Sequence, residues 1–214
     1  MQAELLHFMG DDRMIANAAR VSFDKEVEVF GENDKRLINY LIKHKHTSPF
    51  RHPQLQFRVH CPIFVERQLF KHQVGLTANS ISGRYVDFSD EYYKATILRI
   101  QSKDSKQGSD GVLDRPDLLA KMEAHNRKSA ELYAELCDAG VAKEQARIIL
   151  PLSLMTKFIW TGSLAAFLHM FSLRIKPDAQ QETREVAQQM LELVQDIDGN
   201  PFQHTLDAFN GGTQ

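Results

Sequence analysis

Chemistry concentrates between Pro62 and Tyr85, where the chain reads PIFVERQLFKHQVGLTANSISGRY. Gln68, Lys71 and His72 stand three and four residues apart, which puts an amide, an ammonium and an imidazole on one flank of a helix. Pro62 suits the first helical position, where its missing N–H costs nothing. Ile63, Phe64, Val65, Leu69 and Phe70 supply the apolar flank. Val74-Gly75 ends the pattern, and a loop of small polar residues follows: Thr77, Asn79, Ser80, Ser82 and Gly83, then Arg84-Tyr85. Cations, amides and hydroxyls around glycines can cradle an oxyanion or a phosphate, and the same residues also suit a solvated helix end with a polar loop. Arg147 sits in the apolar run ARIILP, and a buried arginine must be paired, with Glu144 for instance, or hold an anion.

This segment resembles the signature of the flavin-dependent thymidylate synthases, Arg-His-Arg, about seven residues, then Ser, with Arg-Tyr close behind. Here the triplet is Lys71-His72-Gln73 and the end is Ser82-Gly83-Arg84-Tyr85, with one residue more between them than is commonest. Ala18-Ala19-Arg20-Val21-Ser22-Phe23, Ser48-Pro49-Phe50 with His52, Pro62-Ile63-Phe64-Val65 with Arg67-Gln68, and Ala146 to Pro151 are similar too. So is the pattern from Arg174 through Ala179-Gln180 to Glu182 and Arg184. Several separated motifs in order are more specific than any one of them.

The resemblance implies an α+β fold, one domain over 1–214 with mixed helices and a small antiparallel sheet. It implies reductive methylation of deoxyuridine monophosphate (dUMP) to thymidylate, with methylenetetrahydrofolate as carbon donor, FAD as hydride donor and NADPH as reductant. It places dUMP on Gln68, Lys71, Ser82, Gly83, Arg84, Arg147 and Arg184, with Arg147 and Ser82 in catalytic roles; Arg184 also suits a solvated helix position, paired with Glu182 or Glu185. It places FAD on Ser22, Ser48, Lys71, His72, Gln73, Asn79, Ser172 and Arg174, in a homotetramer whose active sites lie between subunits. Each flavin residue has a plain alternative: Ser22 as a turn cap, Ser48 before a proline, His72 as a satisfied core histidine. Lysine at 71 keeps a charge but loses the planar fork, and glutamine at 73 keeps only an amide. Ser172 stands where an asparagine is also seen, and Asp178 where a histidine is common. The altered triplet also admits a different pyrimidine nucleotide as substrate, or a non-catalytic nucleotide-binding protein on the same scaffold.

Conventional thymidylate synthesis attacks the ring with a cysteine thiolate. The two cysteines, Cys61 and Cys137, lie outside the polar loop. Cys61 precedes a helix N-terminus, which can lower a thiol pKa, yet it reads as a core residue. Neither CxxC nor a zinc spacing is present, so free thiols in a reducing, cytoplasmic compartment are expected. His44, His46 and His52 lack an acidic residue to complete a metal site, and no metal is expected.

The elements that must position these groups follow from the remaining pattern. The chain has 214 residues, 43% of them hydrophobic and 25% charged, ordinary values for one globular domain with a core. A net charge of -2 argues against a nucleic-acid-binding sheath, and no apolar run reaches a membrane span. The pattern predicts a strand at 2–8, a helix at 12–19, and a helix capped by Asn33 or Asp34 running to 46. Residues 54–60 alternate as an amphipathic surface strand. Residues 101–116 read as a polar loop or insertion after a mixed segment at 87–99. A long helix follows over 117–138, with Leu118, Met122, Leu132, Tyr133 and Leu136 as core candidates and Gly140 as its stop. A short helix covers 143–150, a buried apolar helix 156–173 with Gly162 as a close-packing point, and a last amphipathic helix 178–198. Neither GxGxxG nor a P-loop is present.

Overall fold

The computed structural model describes residues 1–85, 91–104 and 106–212. In order, the elements are β1 (Gln2–Met9), α1 (Asp12–Arg20), α2 (Glu32–Lys43), β2 (Gln54–Pro62), α3 (Ile63–Leu69), β3 (Leu76–Ser80), β4 (Leu98–Gln101), β5 (Ser109–Leu113), α4 (Pro116–Asp138), α5 (Lys143–Ala146), β6 (Met155–Ser163), α6 (Leu164–Arg174), α7 (Gln181–Gln195) and α8 (Gln203–Gly212). Helices mixed with antiparallel strands make this the expected α+β class.

The organising layer is a four-stranded sheet in the order β1-β2-β6-β3, antiparallel throughout. Residues 54–60 do alternate, but the strand they form is interior, not a surface strand. Leu55, Phe57, Val59 and Cys61 are buried on one face, and β2 is paired on both edges. Gln56 and Arg58 take the other face, where Gln56 Nε2 donates to Thr161 Oγ1 at 2.9 Å and Arg58 meets Glu4 at 2.7 Å. The apolar face packs on α6, where Phe167 meets Phe57 and Trp160 edge-on at 5.0 and 5.4 Å. Such pairs add about 0.5–1.5 kcal/mol each beyond burial. Val186, Met190, Leu191 and Val194 of α7 close the core.

Several elements differ from the sequence reading. Pro62 ends β2 rather than beginning a helix. The apolar run 156–173 is a strand followed by a helix. The break falls at Ser163, whose Oγ accepts the Ala166 N–H and starts α6. Residues 101–116 are not a loop throughout: β4 and β5 form a separate hairpin, and Pro116 already opens α4. Of the mixed segment at 87–99, residues 87–90 lie outside the described residues. Gly31, not Asn33 or Asp34, precedes α2, and the Asp34 carboxylate folds back to the Gly31 N–H at 2.7 Å. In α4 only Ser129 and Tyr133 are buried. Met122 and Leu132, expected in the core, are 50% and 42% exposed because this helix covers no face of the large sheet. Gly140 ends it as expected, at φ +85°. The last helix is α8, held at its start by a carboxylate far away in sequence: Asp12 accepts the N–H groups of His204 and Thr205 at 2.8 and 3.2 Å. Among the described residues no helix is long and apolar enough to cross a membrane.

Candidate functional site

Strand β3 divides the signature. Helix α3 ends at Leu69, so Lys71, His72 and Gln73 lie beyond it in a turn rather than on its flank. The stretch expected to be loop is partly the edge strand Leu76–Ser80, with Leu76 opposite Gly162 and Ser80 opposite Phe158. At about 3.3 Å per residue this strand sets the triplet and the Ser82-Gly83-Arg84-Tyr85 turn at opposite ends.

At the triplet end, α3, α6 and the segment before α7 converge. Arg67, Gln68, Lys71, Arg174, Asp178 and Gln180 line a cavity of about 400 Å³. Three cations, Arg67, Lys71 and Arg174, face one carboxylate, Asp178, a donor set suited to an anion. Arg174 Nε donates to His72 Nε2 at 2.9 Å. His72 therefore carries its proton on Nδ1 when neutral, and burial, Arg174 and His169 push its pKa down to about 4. Gln68 bonds Gln180, and its Oε1 accepts from Thr183 Oγ1 at 3.0 Å. Arg184 does not pair with Glu182 or Glu185; it donates to Pro177 O at 2.7 Å and ties down the loop bearing Asp178. Ser172 Oγ donates to its own helix at His169 O, 2.7 Å away.

At the other end, Arg84 is exposed and lies over the Tyr85 ring at 5.2 Å, with Nη2 3.3 Å from Tyr85 Oη. The Arg84 N–H approaches Ser82 Oγ at 3.4 Å, and Gly83 is buried between them. Asn79 is on β3, exposed. Ser80 Oγ donates to Glu66 Oε1 at 2.6 Å and ties β3 to α3.

The remaining expected residues stand elsewhere. Ser22 and Ser48 lie in short 3₁₀ turns, both exposed. Their neighbours Val21 and His52 line a second cleft of about 640 Å³ with Met9 and Arg13. Arg147 is not buried in a helix. It begins an exposed 3₁₀ turn held to α4 through Ser129 Oγ and Ile149 O at 2.6 Å, beside Ile148, which is 76% exposed. Among the described residues Arg147 makes no ion pair, with Glu144 or any other carboxylate. One chain thus brings together Gln68, Lys71, His72 and Arg174, and leaves Arg84 and Arg147 open on its surface.

Cys61 is fully buried, and burial with nearby Glu66 pushes its thiol pKa up to about 12. The helix that follows does not activate it. The residues that the sequence reading missed are Tyr93, Arg99 and, as a partner of both, Glu182. Arg99 Nη2 meets Glu182 Oε1 at 2.7 Å and the Tyr93 hydroxyl approaches the same oxygen at 3.3 Å. Only Glu182 carried a sequence signal, as part of the motif after Arg174.

The depressed His72 pKa has a measurable consequence. The folded chain resists protonating this imidazole, whereas the unfolded chain takes up the proton as pH falls through the ordinary value of 6.5. Its contribution to stability is therefore full above that value and is lost as pH falls toward 4. Urea denaturation between pH 7 and 4 should show a shallower loss for His72→Gln than for the parent. Parallel curves would mean that His72 titrates freely.

The family described as thymidylate synthase complementing protein matches residues 4–198. The flavin-dependent thymidylate synthase of Thermus thermophilus is 41% identical over 192 residues, 90% of this chain and 70% of that protein. That of Borreliella burgdorferi is 35% identical over 203 residues, 91% of this chain and 76% of that protein. Among solved structures, a UMP/dUMP methylase, PolB from Streptomyces cacaoi bound with 5-Br dUMP, is similar at a TM-score of 0.85 and 29% identity, over 98% of this chain and 94% of that one. The same methylase bound with 5-Br UMP is similar at 0.82 and 28% identity, over 98% and 93%.

Proposed function

This chain belongs to the flavin-dependent thymidylate synthases, and from that membership we propose that it methylates dUMP to thymidylate with methylenetetrahydrofolate as carbon donor. The observation that carries this reading is the convergence of Gln68, Lys71, His72 and Arg174 at a cation-lined cavity, with the only fully buried cysteine held as an inert thiol.

FAD fits the donor set of this chain. Lys71, Arg67 and Arg174 can meet its diphosphate, and Gln68, which lines the same cavity, can meet dUMP beside it. Gln73 and Asn79 offer exposed amides, and Ser22 and Ser48 offer exposed hydroxyls on turns whose neighbours Val21 and His52 line the second cleft. The chemistry that FAD supplies when bound is hydride donation, with NADPH as reductant. The residues of this chain bind and orient: burial and the Arg174 guanidinium keep His72 neutral with its proton on Nδ1, while Arg84 and Arg147 bring guanidinium groups to the phosphate. Ser82 orients the turn that carries Arg84, and among the described residues no base stands within bonding reach of its hydroxyl. Arg184 acts through the 177–178 loop.

The distribution of these groups supports an assembly in which the site is completed between copies. Arg84 and Arg147 are exposed, and exposed Met122, Leu132 and Ile148 mark an apolar surface along α4 and the turn beside it. A homotetramer covers such a surface and brings one copy's arginines to another's cavity.

The test is anaerobic turnover with dUMP, methylenetetrahydrofolate, FAD and NADPH, with both products identified. Thymidylate and tetrahydrofolate are expected, because the hydride does not come from the folate. The Cys61→Ser/Cys137→Ala variant should retain turnover, apart from a modest loss from packing around Cys61. Stoichiometric dihydrofolate, or dead but folded and dUMP-binding double variant, would refute the reading. A second substrate reading, UMP, is favoured by the similar methylase that was solved with both 5-Br UMP and 5-Br dUMP. Substituting UMP in the same assay decides it.

A further inference from the structure

Gln68 belongs to a chain of side chains whose hydrogen-bond polarity is fixed from its far end. Glu182 is 5% exposed. Burial alone would raise its pKa, but Arg99 and the Gln180 amide more than offset this and hold it below the usual carboxylate range. An ionised carboxylate only accepts. Arg99 Nη2 and the Tyr93 hydroxyl address Oε1 at 2.7 and 3.3 Å, and Gln180 must give its amide N–H to Oε2, at 2.9 Å. Tyr93 stays a donor at neutral pH, its pKa pushed up to about 12 by burial and the nearby carboxylates.

With its nitrogen committed to Glu182, Gln180 turns its oxygen toward Gln68. Gln68 must answer with an N–H, so its own oxygen is turned to the Thr183 hydroxyl, 3.0 Å away. Both ends of the Gln68 amide are then assigned. One hydrogen on Nε2 remains, on a side chain that lines the cation-bearing cavity. A flipped amide would set oxygen against oxygen at Gln180 and could not be accepted at Glu182 further along.

We infer that Glu182 is a positioning residue: through Gln180 it forces Gln68 to present an N–H donor, and not a carbonyl, to an acceptor oxygen of the bound nucleotide. This rests on the placement of dUMP in the Gln68 cavity proposed above. It assigns a task to the partly buried Arg99–Glu182 pair, which an apolar pair could replace if it served packing alone.

Calorimetric dUMP affinity of the FAD-saturated protein tests this in a double-mutant cycle. Glu182→Gln keeps the shape but lets the amides of 180 and 68 flip together. It should weaken dUMP about tenfold, the size of one hydrogen bond, and weaken it less than about twofold when Gln68 is already alanine. Gln68→Glu, which offers only acceptors, should bind dUMP more weakly than Gln68→Ala. Thr183→Val interrogates the same amide from its other side and serves if Glu182→Gln does not fold; its loss too should vanish in the Gln68→Ala background. Equal losses in both backgrounds would reduce Glu182 to a structural role and overturn the inference, with the cavity reading intact. Unchanged dUMP affinity in Gln68→Ala would instead overturn both.

Discussion

Gly162→Ala should destabilise the protein by about 1–3 kcal/mol or more and should weaken FAD binding with it. Gly162 lies in β6 opposite Leu76, the first residue of β3, and its neighbour Ser163 gives an N–H to Gly75 O at 3.1 Å. A Cβ added at 162 would overlap the Gly75 carbonyl and come within 2.5 Å of Leu76 Cδ2. The first obstacle is backbone, so no rotamer change relieves it. Gly75 itself sits at φ +74°, where another residue would be strained. The segment that must yield is the one joining Lys71-His72-Gln73 to β3, and moving it outward shifts Lys71 and His72 relative to Arg174. Urea denaturation and FAD titration on the same variant check both halves. A stability change below about 0.5 kcal/mol would show that the β3 edge relaxes freely, and FAD affinity preserved in a destabilised variant would separate the edge from the cofactor.

The sequence signalled Gly162 as a packing point but placed it in the wrong element, and the reason is physical. Met155–Ser163 is buried on its inner face and flanked on the other by neighbours, so the period of two is blurred in TKFIWTGS. With α6 following directly, the whole run reads as one long apolar helix. Edge strand β3 was hidden for the opposite cause: its residues are half exposed and polar, so TANS carries a loop's composition. The β4–β5 hairpin has the same character, with β5 exposed along its length. Helix α8 lacked a start signal because its cap is Asp12, nearly the whole chain away. By contrast, β2, α4 and α7 were legible from local period, even though α4 buries far less of its apolar surface than its pattern suggests.

At the site, sequence order found Gln68, Lys71, His72 and Arg174, which the fold does gather. It could not find Arg99 or Tyr93, since the bonds that matter connect residues 83 and 89 positions apart. The burial inferred for Arg147 failed for an instructive reason. Apolar neighbours in ARIILP imply a covering surface, but Ile148 is itself exposed in the single chain. Apolar composition over so short a run does not by itself bury the residues within one chain.

Arg84→Ala is therefore expected to cost dUMP binding about 1.5–3 kcal/mol, the worth of a hydrogen bond to a charged group, without changing stability. Among the described residues of the folded chain, Arg84 touches Tyr85 and Ser82, at 5.2 Å ring distance and 3.4 Å through its backbone. Its removal frees no carboxylate among the described residues. Deoxyuridine, which lacks the phosphate, should bind the variant and the parent alike. The placement of Arg84 across β3 from Gln68 adds a sharper expectation. If the guanidinium serves a cavity on another copy, Arg84→Ala and Gln68→Ala damage opposite sides of one composite site. Unfolded and refolded together, two impaired variants should then regain sites with both groups intact, approaching about a quarter of the total for random pairing in a symmetric assembly. Titrating high-affinity dUMP sites in the mixture counts them directly. Recovery of none, with mixed assemblies demonstrated by tagged copies, would mean that Arg84 and Gln68 act on a nucleotide held within one chain, and that the exposure of Arg84 reflects a turn still to close over its own cavity.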